Sequence, residues 1–579
     1  MHPFFDVMIN RKTKIIATRV VVVALFVSLL WIGIFIGRRG EQRRTLGALR
    51  ELYIEVDRNR EHLQKFNEDK LAFEELMSGN DKMMQTIASI RNYYVDPIAL
   101  DTIYEKAIPK LLQELDPHSE YIPARYFSQV NESLEGEFDG IGIVFNAMTD
   151  TITVLNVIPQ GPSDKAGIRA GDRIMQIDGR AVAGQRIPQD SMVRLMRGPR
   201  GSTVRLAVKR IGIDRLVDID VVRAAIEIHS IATAFMLDDE SKIGFVRLSQ
   251  FSRTSHEEMR AAIDKLQSEG MRSLIIDLRG NGGGFLDQAI LIADEFLPAE
   301  RLIVYTEDRN GYQEKQYTTG RGNSTEIPLV ILVDESSASS SEILAGAVQD
   351  NDRGLVIGRR TFGKGLVQSQ IPFADGSAMR LTVARYYTPT GRSIQKPYKS
   401  GDVMAYQMDI INRYNNNEFF SADSIHFVDS LKFTTPAGRT VYGGGGIMPD
   451  IFIPLDTVGM SDYYNEVWHS NVLYRYTMEF ADRHRAALDG VRSLHELDSL
   501  LGATDLIGEF TAYAERHGVP TDKRGLATSR DIILAQLRAY IGRNALDNES
   551  GFYYNIYPID DAMQRAVEEL KKPKTTNKR

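Results

Sequence analysis

The sequence predicts a multi-domain α/β chain. Three observations carry this: an uncharged apolar run near the N-terminus, short alternating runs punctuated by Gly and Pro from about residue 134, and a regular alternation of strand-like and helix-like runs beyond about residue 225. At 579 residues the chain is too long for one compact core, and 43% hydrophobic with 25% charged residues is ordinary globular composition. A net charge of −7 gives no sign of nucleic-acid binding. With no cysteine, thiol catalysis, cysteine–zinc sites and disulfides are excluded.

The first element is "VVVVALFVSLLWIGIFIG" at residues 20–37, 18 residues without a charge and long enough to cross a hydrocarbon core as a helix. No small-x-small cleavage site comes after it, since Gly37 leads straight into Arg38 and Arg39, so residues 1–37 read as a tail with an uncleaved anchor. Four basic residues on each side leave its orientation open. Residues 38–80 read as a helical stalk, with Leu46, Leu49, Leu52 and Tyr53 at helical spacing, and 81–133 as a helical lead-in.

Residues 134–212 form the β-rich module. "FDGIGIVFN", "TITVLNVIPQGPSDKAGIRAGDRIMQIDG" and "GSTVRLAVKR" supply four or more strands, with a short helix at "GPSDKAGI". In the loop Gly140-Ile141-Gly142-Ile143, backbone N–H groups can converge on a carboxylate, although such a bend is by itself usually only a turn. These pieces, in this order, resemble a PDZ domain. The resemblance implies recognition of peptide C-termini by strand addition, with the amides of Ile141, Gly142 and Ile143 facing the carboxylate.

Residues 225–456 alternate strand and helix, the rhythm of a largely buried sheet with helical cover. Chemistry on such sheets gathers where strands give way to helices. Two junctions are unusual: "DLRGNGGG" at 277–284 and the serine run in "VDESSASSSEILAGAVQD" at 333–350. Ser339 and Glu342 fit the S-x-x-E capping box, and taken alone the run reads best as a helix cap. A nucleophilic serine needs a base, and no histidine lies nearby in the sequence. Lys364 comes 25 residues after Ser339, among Phe362, Leu366 and Val367. To act near neutral pH its pKa must fall from about 10.4 by roughly three, about 4 kcal/mol of destabilisation of the ammonium, which burial in an apolar pocket can supply. Gln368, four residues on, is expected on the same strand face, where its amide oxygen could orient the amine. The GxxxxGK match at 358–364 fails as a phosphate loop, because Gly365 stands where Ser or Thr must bind magnesium. The Ser340 amide at a helix N-terminus and an amide of the glycine run could together form an oxyanion hole.

The ordered set "LDPHSEYI" (115–122), the β module, "DLRGNGGG", "SSASSSEILAGAVQD", "GRRTFGKGLVQ", "YYTPTGRSI" (386–394) and "GGGGIMPD" (443–450) resembles the carboxyl-terminal processing peptidases, over roughly residues 81–456. The resemblance implies an α/β core of the ClpP/crotonase-like type and a serine endopeptidase needing no metal or other cofactor. It places the nucleophile on Ser339, the base on Lys364, the helper on Gln368 and the oxyanion amides on Gly283 and Ser340. The family's usual setting implies a single-pass inner-membrane protein with its catalytic part in the periplasm or cell exterior.

Two departures stand out. The usual "NPGG" reads Asn281-Gly282-Gly283-Gly284, and the usual "GSASASE" reads Ser336 to Glu342 with extra serines, which leaves Ser337 and Ser341 as rival nucleophiles. About 45 residues between "GRSI" and "GGGGIMPD" look inserted. Residues 457–579 are a largely helical extension, for which oligomerisation or adaptor docking stand beside plain scaffold. A catalytically silent, membrane-anchored PDZ scaffold is the alternative reading of the whole chain.

Overall fold

The computed structural model describes residues 82–146, 151–158, 160–210, 212–546 and 549–573. The expected anchor at 20–37, the stalk at 38–80 and the end of the basic tail lie outside them. Among the described residues no helix is long and apolar enough to cross a membrane. Contacts divide the chain into two units, residues 1–103 and 104–579. The first unit contributes the helix Lys82–Tyr93.

The second unit is centred on a six-stranded sheet. The strands β1 (Ile231–Asp238), β2 (Ile243–Leu248), β3 (Ser273–Asp277), β4 (Leu329–Val333) and β5 (Leu355–Gly358) alternate from β2 onward with the helices α1 (Ser255–Ser268), α2 (Leu286–Phe296) and α3 (Ser340–Asp350). After β5 the chain leaves for a second sheet, through β6 (Leu366–Pro372) and β7 (Ala378–Tyr387). It then forms the helix α4 (Val403–Asn415) and returns as β8 (Ile451–Phe452). The order across the central sheet is β1-β2-β3-β4-β5-β8, parallel except for the antiparallel β1–β2 pair.

The sequences "SLIID" and "LVILV" are continuous apolar runs because β3 and β4 are buried at every position. Alternate side chains go to opposite faces. Leu274, Ile276, Ile331 and Val333 pack with Met259, Ile292 and Leu344 of the three helices. Ile275, Val330 and Leu332 pack on the other side against Met563, Ala566 and Val567. Those last residues belong to the helix Asp561–Lys571, so the C-terminal extension supplies the second helical layer of the sandwich. Full burial of each such aliphatic side chain contributes about 2 kcal/mol.

The β module is an antiparallel sheet in the order 143–146, 152–157, 173–177, 203–209, 217–222, with its own core around Ile152, Ile174 and Val204. The helix Gln189–Met196 buries Met192 and Met196 in it. The module joins the rest through a two-stranded ribbon, Glu137–Gly140 paired with Ala224–Glu227. The extension also meets the module directly, where Arg173 pairs with Asp482 at 3.4 Å.

Candidate active site

Two sheets meet at a cleft of about 850 Å³. The parallel sheet contributes the loops after β3 and β4, and the second sheet contributes β6 and β7. The loop 359–365, between β5 and β6, carries the chain from one sheet to the other and bears Lys364. Ser339, Ser340, Lys364, Gln368 and the glycines 282–284 all line this cleft, and among the described residues no histidine does.

Ser339 is the N-cap of α3 and has φ 55° and ψ −114°, a backbone region that an L-residue rarely occupies. The turn that forces this conformation also needs Gly283. A Cβ on Gly283 would lie 2.8 Å from both the Ala338 carbonyl and the Ser339 Cβ, so only glycine lets the two loops close.

The rival serines are spoken for. Ser337 Oγ is fully buried and donates to the Leu278 carbonyl at 2.8 Å; Ser341 Oγ, equally buried, donates to the Asn281 carbonyl at 2.9 Å. Ser340 Oγ donates to the Gly284 carbonyl at 2.9 Å. Ser339, half-buried in the cleft wall, is left as the serine presented beside Lys364.

Ser339 and Lys364 are tied together twice through their main chains. Both N–H groups donate to the same oxygen, Glu342 Oε2, each at 2.9 Å. The Tyr386 hydroxyl reaches both carbonyls, at 3.1 Å for Ser339 and 2.5 Å for Lys364. Glu342 Oε1 accepts two further bonds, from Thr361 Oγ1 at 2.5 Å and Gly363 N–H at 2.8 Å. Complete burial pushes the Glu342 carboxyl up to about 7, against the pull of these donors toward the ionised form. The capping residue expected from S-x-x-E is therefore also the anchor of the lysine loop.

Lys364 makes no ion pair among the described residues. Burial pushes its pKa down, and the Arg380 guanidinium adds to this; Glu120, Glu342 and Asp116 oppose it. Arg380 is held by Glu120 at 3.1 Å and Asn131 at 3.0 Å.

Three expectations are corrected by the geometry. Lys364 and Gln368 do not share a strand face by even spacing, because β6 begins only at Leu366 and its register against β7 shifts between Val367 and Gln368. They converge on the cleft nonetheless, without a hydrogen bond between them. Gln368 Nε2 donates to Thr382 Oγ1 at 3.3 Å, and that hydroxyl donates to Asp116 at 3.1 Å, so the "LDPHSEYI" segment supports the glutamine from behind. Second, the Gly283 N–H already donates to Asn281 Oδ1 at 2.9 Å and is not directed at the cleft as an open donor. The amides of Gly282, Gly284 and Ser340 have no partner among the described residues. Third, Gly140 sits in the ribbon, paired with Ala224, rather than in the loop.

Ile141 and Gly142 do form that loop, with Gly142 at φ 72° and its carbonyl accepting from Ile158 N–H at 3.1 Å. This bond makes Ile143 and Val157 a non-hydrogen-bonded pair, so the Ile143 N–H points to the open edge of the sheet.

A family model described as peptidase family S41 matches residues 242–404, and a PDZ-domain model matches 140–221. The carboxy-terminal-processing protease of Bartonella bacilliformis is 38% identical over 323 residues, covering 55% of this chain and 73% of the relative. The chain belongs to the carboxyl-terminal processing peptidases. A second member of the family, from Picosynechococcus sp., is 38% identical over 299 residues, covering 51% of this chain and 71% of its own. The solved photosystem II D1 C-terminal processing protease is 29% identical, with a TM-score of 0.34 over 54% of this chain and 84% of its own. Residues 463–547 match a family of unknown function. The chain is thus a serine-type peptidase of the C-terminal processing kind, carrying a PDZ domain.

Sequence reasoning missed Glu342 as a hub, Tyr386 as a bridge and Asn281 as the partner of Gly283. Glu342 left a local signal that read as a cap, and Asn281 left one in its two-residue spacing to Gly283; Tyr386 left none.

Proposed function

We propose that the chain binds protein C-termini through its PDZ domain and cuts peptide bonds in the cleft through Ser339 and Lys364. The double main-chain tie between these two residues is the observation that carries this reading. Neutral Lys364 takes the Ser339 hydroxyl proton as Oγ attacks the scissile carbonyl carbon. The developing oxyanion takes the Ser340 N–H and a second amide of the glycine turn; Gly283 serves there only by releasing Asn281 Oδ1. Collapse expels the amine, which receives its proton from Lys364, and leaves an acyl-enzyme on Ser339. Water, deprotonated by Lys364, then releases the acid and restores the serine. Gln368, fixed by Thr382, orients the lysine amine. The Ile141, Gly142 and Ile143 amides receive the substrate's terminal carboxylate, and its chain adds along strand 143–146.

The test is cleavage of peptides with free C-termini by the wild-type chain and by Ser339→Ala, together with labelling by a fluorophosphonate. Cleavage is expected to vanish in the variant, with the label on Ser339 in the wild type. Undiminished cleavage by Ser339→Ala, or a label on another serine, removes the assignment. No cleavage by the wild type across varied tails would favour the silent scaffold.

The uncharged run at 20–37 supports anchoring in the inner membrane, and the family's usual setting supports a catalytic part in the periplasm or outside the cytoplasm. The full chain is expected to stay with membranes through alkaline carbonate washing and to be digested by protease added to spheroplasts. Release by the wash, or protection from the protease, would contradict this placement.

A further inference from the structure

The stretch of about 45 residues between "GRSI" and "GGGGIMPD" looks inserted in the sequence, and nothing there suggests a role. In the structure its helix α4 packs behind the lysine loop. Arg413, only 3% exposed, donates through one terminal nitrogen to the Thr361 carbonyl at 3.0 Å and through the other to the Arg360 carbonyl at 2.6 Å. Tyr406, two turns earlier on the same helix, meets Phe362 edge-on with ring centres 6.0 Å apart. Lys396 N–H donates to the Gly363 carbonyl at 2.9 Å, and its ammonium lies 4.1 Å from the ring centres of both Phe362 and Tyr406.

The loop that carries Lys364 is neither helix nor strand, so its shape depends on what holds its backbone groups. Glu342 holds the N–H groups of Gly363 and Lys364. The carbonyls of Arg360 and Thr361 have Arg413, that of Gly363 has Lys396, and that of Lys364 has Tyr386. A planar guanidinium reaches two successive carbonyls at once, which a single ammonium cannot do with the same geometry.

We infer that Arg413 is a positioning residue for Lys364, and that the inserted segment serves the reaction by fixing the lysine loop through its carbonyls while Glu342 fixes it through its amides. The inference rests on Lys364 being the base. Without Arg413, two carbonyls lose their buried partner, the loop loosens, and water reaches the amine.

The groups that face Lys364 are Glu342 from α3, Arg380 from β7, and Asp116, His118 and Glu120 from the segment entering the strand Glu120–Ile122, with Lys396 behind the loop. Of these only Lys396 feels the Arg413 charge; Arg413→Lys keeps that charge, so an acid-limb shift that this variant shares reports the loop. In the full chain, Arg413→Met is expected to lower kcat about 10-fold or more with KM changed less than about twofold, and to move the acid limb to higher pH. Arg413→Lys, which keeps one charged donor, is expected to shift the limb the same way by less. Met404→Ser, on the exposed side of the same helix with Met404 67% exposed, is expected to behave as wild type.

Wild-type kcat in Arg413→Met, or a fall in kcat with an unmoved acid limb, would overturn the inference. If Arg413→Met does not fold, an Arg413→Lys protein with the wild-type profile would overturn it equally. Undiminished cleavage by Lys364→Ala would instead break the dyad reading on which this one rests, so the two failures are distinguishable.

Discussion

Lys364→Arg is expected to reduce kcat about 1,000-fold or more, with substrate binding largely retained. The substitution keeps length and charge and removes only the capacity to lose a proton near neutral pH, because a guanidinium stays protonated. In the wild-type chain the amine is driven toward neutrality by burial and by Arg380. Since the neutral amine is the active form, activity rises with pH until Lys364 is deprotonated, and it falls about tenfold for each pH step below that point. Lys364→Arg should show no such limb. Measuring kcat and KM across the pH range checks both statements, and a variant that retains its rate would mean that another group takes the serine proton.

Glu342→Gln is expected to lower kcat about 100-fold and to reduce thermal stability. Four donors converge on the carboxylate: the N–H groups of Ser339, Gly363 and Lys364 and the Thr361 hydroxyl. An amide of the same shape offers one acceptor oxygen and turns an NH₂ group toward N–H donors. Each buried donor left unpaired costs about 1–3 kcal/mol, and relief comes only by moving the loops that carry Ser339 and Lys364.

The wild-type pH dependence of stability has a definite sign here. The Glu342 pKa is raised in the folded chain from 4.5 to about 7. Between those values the folded state binds a proton that the unfolded state has lost, so this group's contribution is full below 4.5 and is lost as pH rises through 7. Activity runs the other way, because a protonated Glu342 turns an O–H toward donors. Thermal unfolding and kcat measured from pH 5 to 8 should diverge in the wild type, and Glu342→Gln should lack this contribution to both curves. Parallel curves would show that Glu342 does not titrate in this range.

Much of the fold was legible because its signals are local. The all-apolar runs of β3 and β4, the Gly-bounded pieces of the PDZ domain and the βα alternation all reflect periodicity within a few residues of chain. The serine run was legible as a helix start for the same reason. Which serine faces the cleft was not, because Ser337 and Ser341 are withdrawn by the carbonyls of Leu278 and Asn281, about 60 residues away in the chain. Gln368 leaves the strand face expected from even spacing at the register shift after Val367, since an irregularity of pairing is set by the partner strand and leaves no mark in the spacing.

Residue type and near-neighbour spacing were enough to specify the kinds of element, their order, the family motifs and the short set of groups able to do the chemistry. Long-range packing was needed for the rest: it made Glu342 and Tyr386 join Ser339 to Lys364, brought Arg413 of an inserted helix to the carbonyls of the lysine loop, and closed the second face of the sheet with a C-terminal helix. Those pairings bring together groups up to hundreds of residues apart in the chain. Each is set by burial, which obliges every enclosed polar group to find a partner wherever packing supplies one.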